Sequence, residues 1–291
     1  MTLRQSITEA AATLTTDPHL REHAHRDAET LLLHVLQIDR ATLLAHPDRA
    51  LTSDQIAAYD AAIARRLSHE PIQYITGEQE FFGLRLRVTP ATLIPRPETE
   101  HLVEAVLSRL PDDRPLNLLD VGTGTGAIAV ALAAHLPQAR ITATDISSEA
   151  LEVARENAAA HQLSDRIRFH QADLISGIPE EEEGKRIGFF DAVVSNPPYI
   201  PEDDRAGLHP QVRDHEPAQA LFAGPNGLDI YCRLIPQAHA ALMPGGLLAM
   251  EIGHGQRDAL SLLLADWRDV EFVADLQQIP RVALARRSPL P

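Results

Sequence analysis

From Leu116 onwards the 291-residue chain alternates short apolar runs with amphipathic stretches. Between the first run and the first stretch stands Leu119-Asp120-Val121-Gly122-Thr123-Gly124-Thr125-Gly126-Ala127. This pairing constrains the fold more than any other feature. The spacing predicts strands at 116–120, 140–144, 167–170, 190–195, 246–252, 270–274 and 281–285. It predicts helices near 126–135, 148–161, 227–242 and 256–265. Such alternation calls for an α/β architecture, a mostly parallel sheet with helices on both faces. A glycine-rich turn between strand and helix lets the backbone come close to a ligand.

The chain before this region is of another kind. Glycine is absent until Gly77, and residues 1 to about 75 read as helical throughout. Ala28, Leu31, Leu32, Val35 and Leu36 share a helical face. Thr52-Ser53-Asp54 starts another helix, whose apolar positions are Ile56, Ala57, Ile63, Ala64 and Leu67. From Ile72 to Leu93 the period changes. Phe81 to Val88 alternates around Gly83 and predicts a short hairpin. Glu98 and Glu100 fall in the first turn of a helix running to about Leu110, where carboxylates suit the positive end of the dipole. The expected division is a helical domain at 1–75, a hairpin linker at 76–93 and a catalytic domain at 94–291. Glu180 to Glu183 reads as a solvated loop, and the charged stretch Pro201 to Pro217 as a candidate lid.

The glycine loop outlines a pocket. Asp145, nineteen residues beyond Gly126, ends the second strand, where a carboxylate can accept hydrogen bonds from ribose hydroxyls. Asp120 stands before the loop, to meet a ligand ammonium or to cap the loop backbone. Asp173 ends the third strand where an adenine or ribose edge would lie, and Leu174 can pack on the base. Gly122, Gly124 and Ala127 also fit the dinucleotide pattern, so this motif alone leaves NAD and S-adenosylmethionine both open.

A second motif decides between them. The buried strand Phe190 to Val194 runs into Ser195-Asn196-Pro197-Pro198-Tyr199. Asn-Pro-Pro-Tyr at the carboxyl end of a strand resembles the signature of methyltransferases that act on a planar nitrogen. Such a nitrogen is a poor nucleophile because its lone pair is delocalised. The Asn196 side-chain oxygen and the Pro197 carbonyl can each accept one N–H, which turns the lone pair toward the methyl group. Two prolines preorganise the acceptors, and Tyr199 can stack on the substrate's flat face. No H-E-x-x-H pair occurs among the 14 histidines, and no metal is expected.

Composition narrows the partners. Lys+Arg is 26 against Asp+Glu 41, a net charge of -15. The first 85 residues hold 8 basic and 12 acidic side chains, so both parts are acidic. This argues against a surface built to grip nucleic acid. One cysteine, no signal-like N-terminus and no apolar run near the ~20 residues of a membrane span read as a cytoplasmic, soluble protein.

Across nearly its whole length the sequence resembles the peptide chain release factor glutamine N5-methyltransferases. The resemblance is carried by the glycine loop, Asn196 to Tyr199 and Gln73-Tyr74-Ile75-Thr76-Gly77-Glu78 with Phe81. It is also carried by Pro95-Arg96-Pro97-Glu98-Thr99-Glu100, Asp145-Ile146-Ser147, Asn157, and Glu251-Ile252-Gly253 with Gln256. It implies a Rossmann-like, seven-stranded class I methyltransferase domain preceded by a small all-helical domain and a β-hairpin linker. It implies methyl transfer from S-adenosyl-L-methionine, giving S-adenosyl-L-homocysteine, to the glutamine of the Gly-Gly-Gln motif of release factors. Gly122, Thr123, Gly124, Thr125, Gly126, Asp145 and Asn196 carry over as cofactor contacts, with Asp173 and Leu174 beside them. Asn196, Pro197 and Tyr199, with Pro198, carry over as the substrate-amide site. The helical domain is implied to help hold the release factor. The chain departs at Leu174, where the family often has tryptophan. It departs again at Asp275 to Arg281, which lacks the family's hairpin glycine and implies a different turn. Two neighbouring activities share the tetrad: a ribosomal-protein glutamine methyltransferase, against which Arg96 to Glu100 argue, and an adenine-N6 methyltransferase on nucleic acid, against which the charge argues. A non-catalytic S-adenosylmethionine sensor would have a damaged loop or tetrad, and both are intact.

Overall fold

A computed structural model describes residues 1–178, 181–182, 185–186 and 189–288. Chain contacts divide it into two compact units, Met1–Glu78 with Ala206–Glu216, and Gln79–Arg205 with Pro217–Pro291.

The first unit is helical: α1 (Leu3–Thr15), α2 (Ala24–Leu36), α3 (Arg40–Ala45), α4 (Ser53–Leu67) and α5 (Ile72–Thr76). Thr2 with Gln5 and Thr52 with Gln55 form capping boxes that start α1 and α4. Leu3, Leu14, Leu20, Leu31, Leu32 and Tyr59 make its core. The buried stripe of α4 is Tyr59, Ala62, Ile63 and Arg66, while Ala57 and Ala64 of the expected stripe are exposed. Arg66 turns the stripe because it has a buried partner, Asp27, at 2.8 Å.

The second unit begins with the hairpin of β1 (Glu78–Phe81) and β2 (Leu84–Arg87). Its turn residues, Phe82 and Gly83, both have positive φ, the geometry that matches strand twist. The Phe82 N–H donates to Glu100 Oε1 at 2.8 Å, which fastens the turn to α6 (Pro97–Leu107). There follow β3 (Leu116–Val121), α7 (Ala127–His135), β4 (Ala139–Asp145), α8 (Ser148–Ala160) and β5 (Ile167–Gln171). Next come β6 (Glu181–Glu182), β7 (Lys185–Arg186), β8 (Phe190–Ser195), α10 (Asp229–Ala241), β9 (Leu242–Glu251), α11 (Arg257–Leu263), β10 (Arg268–Ala274) and β11 (Pro280–Arg286), while α9 (Pro210–His215), between β8 and α10 in the chain, belongs to the first unit. The seven-stranded sheet runs β10-β11-β9-β8-β3-β4-β5, parallel except for β11. Alternate residues supply its two faces. Leu118, Ala192, Val194 and Leu247 pack with Leu102, Ile128 and Leu132. Leu119, Val121, Val193 and Leu248 pack with Tyr231, Leu234 and Leu260.

Three of the segments singled out in the sequence take definite form. Glu181 and Glu182 pair with Arg186 and Lys185 rather than forming a loop, while Glu180 and Glu183 lie outside the described residues. The stretch 201–217 holds a short 3-10 helix, Glu202–Gly207, and α9. At the last hairpin Asp275 replaces the missing glycine's turn with side-chain bonds: Oδ1 accepts from the N–H groups of Gln277 and Ile279, and Gln278 takes the left-handed conformation. Among the described residues no helix is long and apolar enough to cross a membrane.

Candidate active site

The strand order reverses at β3, which has β4 on one side and β8 on the other. Ligand crevices of open α/β sheets lie beyond the carboxyl ends at such a point. The Ser195 hydroxyl donates to the Val121 carbonyl at 2.7 Å and ties the two strand ends together. A cavity opens there, lined by Gly122, Thr123, Thr125, Asp145, Asp173, Leu174, Asn196 and Pro198 of the expected site, and also by Thr99, Ile146 and Arg233. Gly124, Gly126, Pro197 and Tyr199 are outside this lining.

The glycine loop is held through its own main chain. The N–H groups of Gly122 and Thr123 both donate to the Thr144 carbonyl at 2.8 Å. Gly122 and Gly124 have positive φ, and a Cβ on either would meet nothing within 4 Å. Their bare backbone therefore faces open space. Gly126 differs, because a Cβ there would stand 3.1 Å from the Ala154 Cβ, so its role is close packing of the loop on α8. Buried Asn157 supports the loop from below. Its amide nitrogen donates to the Thr125 and Arg87 carbonyls, and its oxygen accepts the Arg87 N–H.

Asp145 accepts the Gly124 N–H on Oδ2 at 2.8 Å and the Ser147 N–H on Oδ1 at 3.0 Å. Burial raises its carboxyl above the usual range, against the pull of those two bonds. Each carboxylate oxygen keeps a further lone pair for a ligand hydroxyl. Asp120 is fully buried and accepts the Thr123 hydroxyl on Oδ2 at 2.6 Å, while Oδ1 has no hydrogen-bond partner among the described residues. Burial pushes its carboxyl up to about 7. Asp173 is exposed and paired with Arg233 at 2.6 Å. Leu174 adopts a positive φ, and its carbonyl accepts the Thr144 hydroxyl. Ile146, 57% exposed, is an apolar wall of the cavity that no local sequence signal marks. Bare glycine backbone, a half-buried carboxylate at the end of β4 and apolar walls at Ile146 and Leu174 together fit a nucleoside-bearing cofactor.

The tetrad is held by side chains. Asn196 is half-buried, and its Nδ2 donates to Thr99 Oγ1 at 3.1 Å. The Asn196 oxygen is thereby left as the acceptor of that amide. The Thr99 hydroxyl in turn donates to Glu251 Oε2 at 2.6 Å, and the Tyr199 hydroxyl to Glu251 Oε1 at 3.3 Å. Gln256 Nε2 donates to the Tyr199 and Gly227 carbonyls. Gly227 is a true close approach, since a Cβ would stand 2.2 Å from the Tyr199 carbonyl oxygen. Sequence reasoning missed Thr99, Glu251, Gln256 and Asn157 as site supports. Their only signal was membership of the matched segments.

Comparison with known proteins agrees with this architecture. Family models for the PrmC N-terminal domain and for the methyltransferase small domain match residues 5–77 and 99–209. The release factor glutamine methyltransferase of Koribacter versatilis is 46% identical over 291 residues, 99% of each chain. That of Escherichia coli is 41% identical, over 98% of this chain and 97% of its own. Among solved structures, a Thermus thermophilus 16S rRNA N2 G1207 methyltransferase in complex with AdoMet and guanosine superposes with a TM-score of 0.54. It is 19% identical, over 72% of this chain and 49% of that one, a likeness of fold alone.

Proposed function

Because the chain belongs to the release factor glutamine methyltransferase family and is a methyltransferase dependent on S-adenosyl-L-methionine, we propose that it methylates the side-chain amide nitrogen of the glutamine in the Gly-Gly-Gln motif of release factors. The observation that carries this reading is the Asn196 amide. With one hydrogen of its nitrogen given to Thr99, its side-chain oxygen is oriented to accept an N–H from a substrate in the cavity. A planar N–H₂ group is the natural complement of that oxygen and the Pro197 carbonyl.

Gly122 to Gly126 would cradle the cofactor's methionine end and Asp145 its ribose, with Ile146, Asp173 and Leu174 at the base. When bound, S-adenosylmethionine supplies a methyl group already activated by positive charge on sulfur, chemistry that calls for no metal. The protein's part is to present the nitrogen. Asn196 Oδ1 and the Pro197 carbonyl each hold one amide hydrogen, so the nitrogen lone pair lies perpendicular to the N–H plane and toward the cofactor. As positive charge develops on the nitrogen, the same two oxygens stabilise it without reorganising, since Pro197 and Pro198 fix the backbone between them. Tyr199 closes the amide site against water. The helical unit helps to hold the release factor.

Mass spectrometry of a release factor after incubation with this protein and the cofactor tests the proposal. One added methyl is expected on the peptide that carries Gly-Gly-Gln. An unmodified peptide, with methyl found on a ribosomal protein or nucleic acid in parallel assays, overturns it.

A further inference from the structure

Behind Asn196 lies a buried chain of hydrogen bonds to which the reading above gives no role in methyl transfer. Glu251 is the last residue of β9 and 2% exposed. Both its oxygens accept, from Thr99 at 2.6 Å and from Tyr199 at 3.3 Å. A hydroxyl has a single proton. Once Thr99 gives that proton to Glu251, its oxygen can only accept from Asn196, and it does so from Nδ2 at 3.1 Å. The sense of the whole chain is therefore set at Glu251. A proton on Glu251 aimed at Thr99 would free the Thr99 hydrogen to seek the Asn196 oxygen. The amide would then turn its N–H₂ toward the substrate, a donor where an acceptor is needed.

We propose that Glu251 is a positioning residue that, as a carboxylate acting through Thr99, keeps the Asn196 oxygen facing the methyl-accepting amide. This rests on the reading of Asn196 as the acceptor of that amide. The surroundings poise Glu251 near neutrality: burial pushes its carboxyl up to about 7, the Thr99 and Tyr199 hydroxyls pull it down, Glu98 raises it and Arg281 lowers it. Glu98 and Thr99 come from α6 and Arg281 from β11. Tyr199 follows β8 and is itself under the influence of Arg96 and Arg281, while Tyr231 comes from α10 with its hydroxyl on the Glu251 carbonyl. The carboxylate is the productive form, so turnover is lost as pH falls through about 7.

The test compares Thr99→Val, Thr99→Ser, Glu251→Ala and the double variant Thr99→Val with Glu251→Ala, each in the full chain. Binding of S-adenosylhomocysteine by calorimetry reports whether the pocket is intact and should be unchanged. Thr99→Val and Glu251→Ala should each lower kcat roughly a hundredfold, the scale of a reacting group misplaced by about 1 Å. The double variant should be no worse than either, because the two act on one amide. Thr99→Ser, which keeps the hydroxyl, should restore most of the rate. The side-chain amide resonances of Asn196 should shift through about pH 7 in the wild type and not in Thr99→Val. Additive losses, or resonances indifferent to Thr99, overturn the proposal. Asn196→Ala separates the two levels. If it abolishes turnover while Thr99→Val and Glu251→Ala leave kcat unchanged, the positioning role falls and the amide reading stands. If Asn196→Ala itself turns over, the amide reading falls.

Discussion

The two loops that meet at the carboxyl ends of β3 and β8 are built from different material. The glycine loop is main chain throughout, with Gly122 and Thr123 on the Thr144 carbonyl, Gly124 on the Asp145 carboxylate and bare backbone toward the cavity. The Asn196 loop is side chain held by side chain, an amide oriented by a hydroxyl that is oriented by a buried carboxylate. A surface of bare backbone accommodates one large ligand through many weak contacts. A single oriented amide discriminates between a donor and an acceptor, which is what presenting a nitrogen requires. The difference teaches where single substitutions should hurt binding and where they should hurt turnover.

Asn196→Ala is the sharpest probe and the largest expected effect. Loss of one preorganised polar contact to a developing charge costs ~10²–10³ in kcat, and cofactor affinity should barely move. An equal loss of cofactor affinity would erase the distinction between the loops. Asp145→Ala should do the reverse, weakening cofactor binding by ~1–3 kcal/mol as measured by calorimetry, with kcat at saturation little changed.

A smaller effect comes from Asp120 beneath the glycine loop. Its carboxyl is raised by burial from 3.8 to about 7, so between those values the folded state keeps a proton that the unfolded chain has released. Its contribution to stability therefore falls as pH rises through that window. In denaturant titrations Asp120→Asn should gain on the wild type from acid toward neutral pH, and a constant difference would refute the shift. The smallest effect should come from the net charge of -15. If the acidic surface attracts a basic face of the release factor, methylation at limiting substrate should slow modestly as salt rises. A rate indifferent to ionic strength would leave the charge to solubility alone.

Much of this was legible in the sequence because it is local. Strand and helix positions follow from short periodicities, and β3, β4, β5 and β8 lie within a residue or so of where the alternation puts them. Asp145 and Asn196 stand where a topological rule places ligands. The supports were not legible because they are long-range. Thr99 meets Glu251 across 152 residues and Asn196 across 97, contacts that no local spacing encodes. The buried stripe of α4 was misread for the same reason, since Arg66 is interior only through Asp27 on another helix. Gly126 looks like a ligand-facing glycine in its motif, yet its lack of a Cβ is used against Ala154.

The central claim, that the amide end of the pocket acts on one glutamine side chain of a protein, is most directly tested with labelled cofactor and a release factor whose Gly-Gly-Gln glutamine is replaced by alanine. The account predicts label on the unaltered factor and none on the variant. Label that persists on the variant would contradict it.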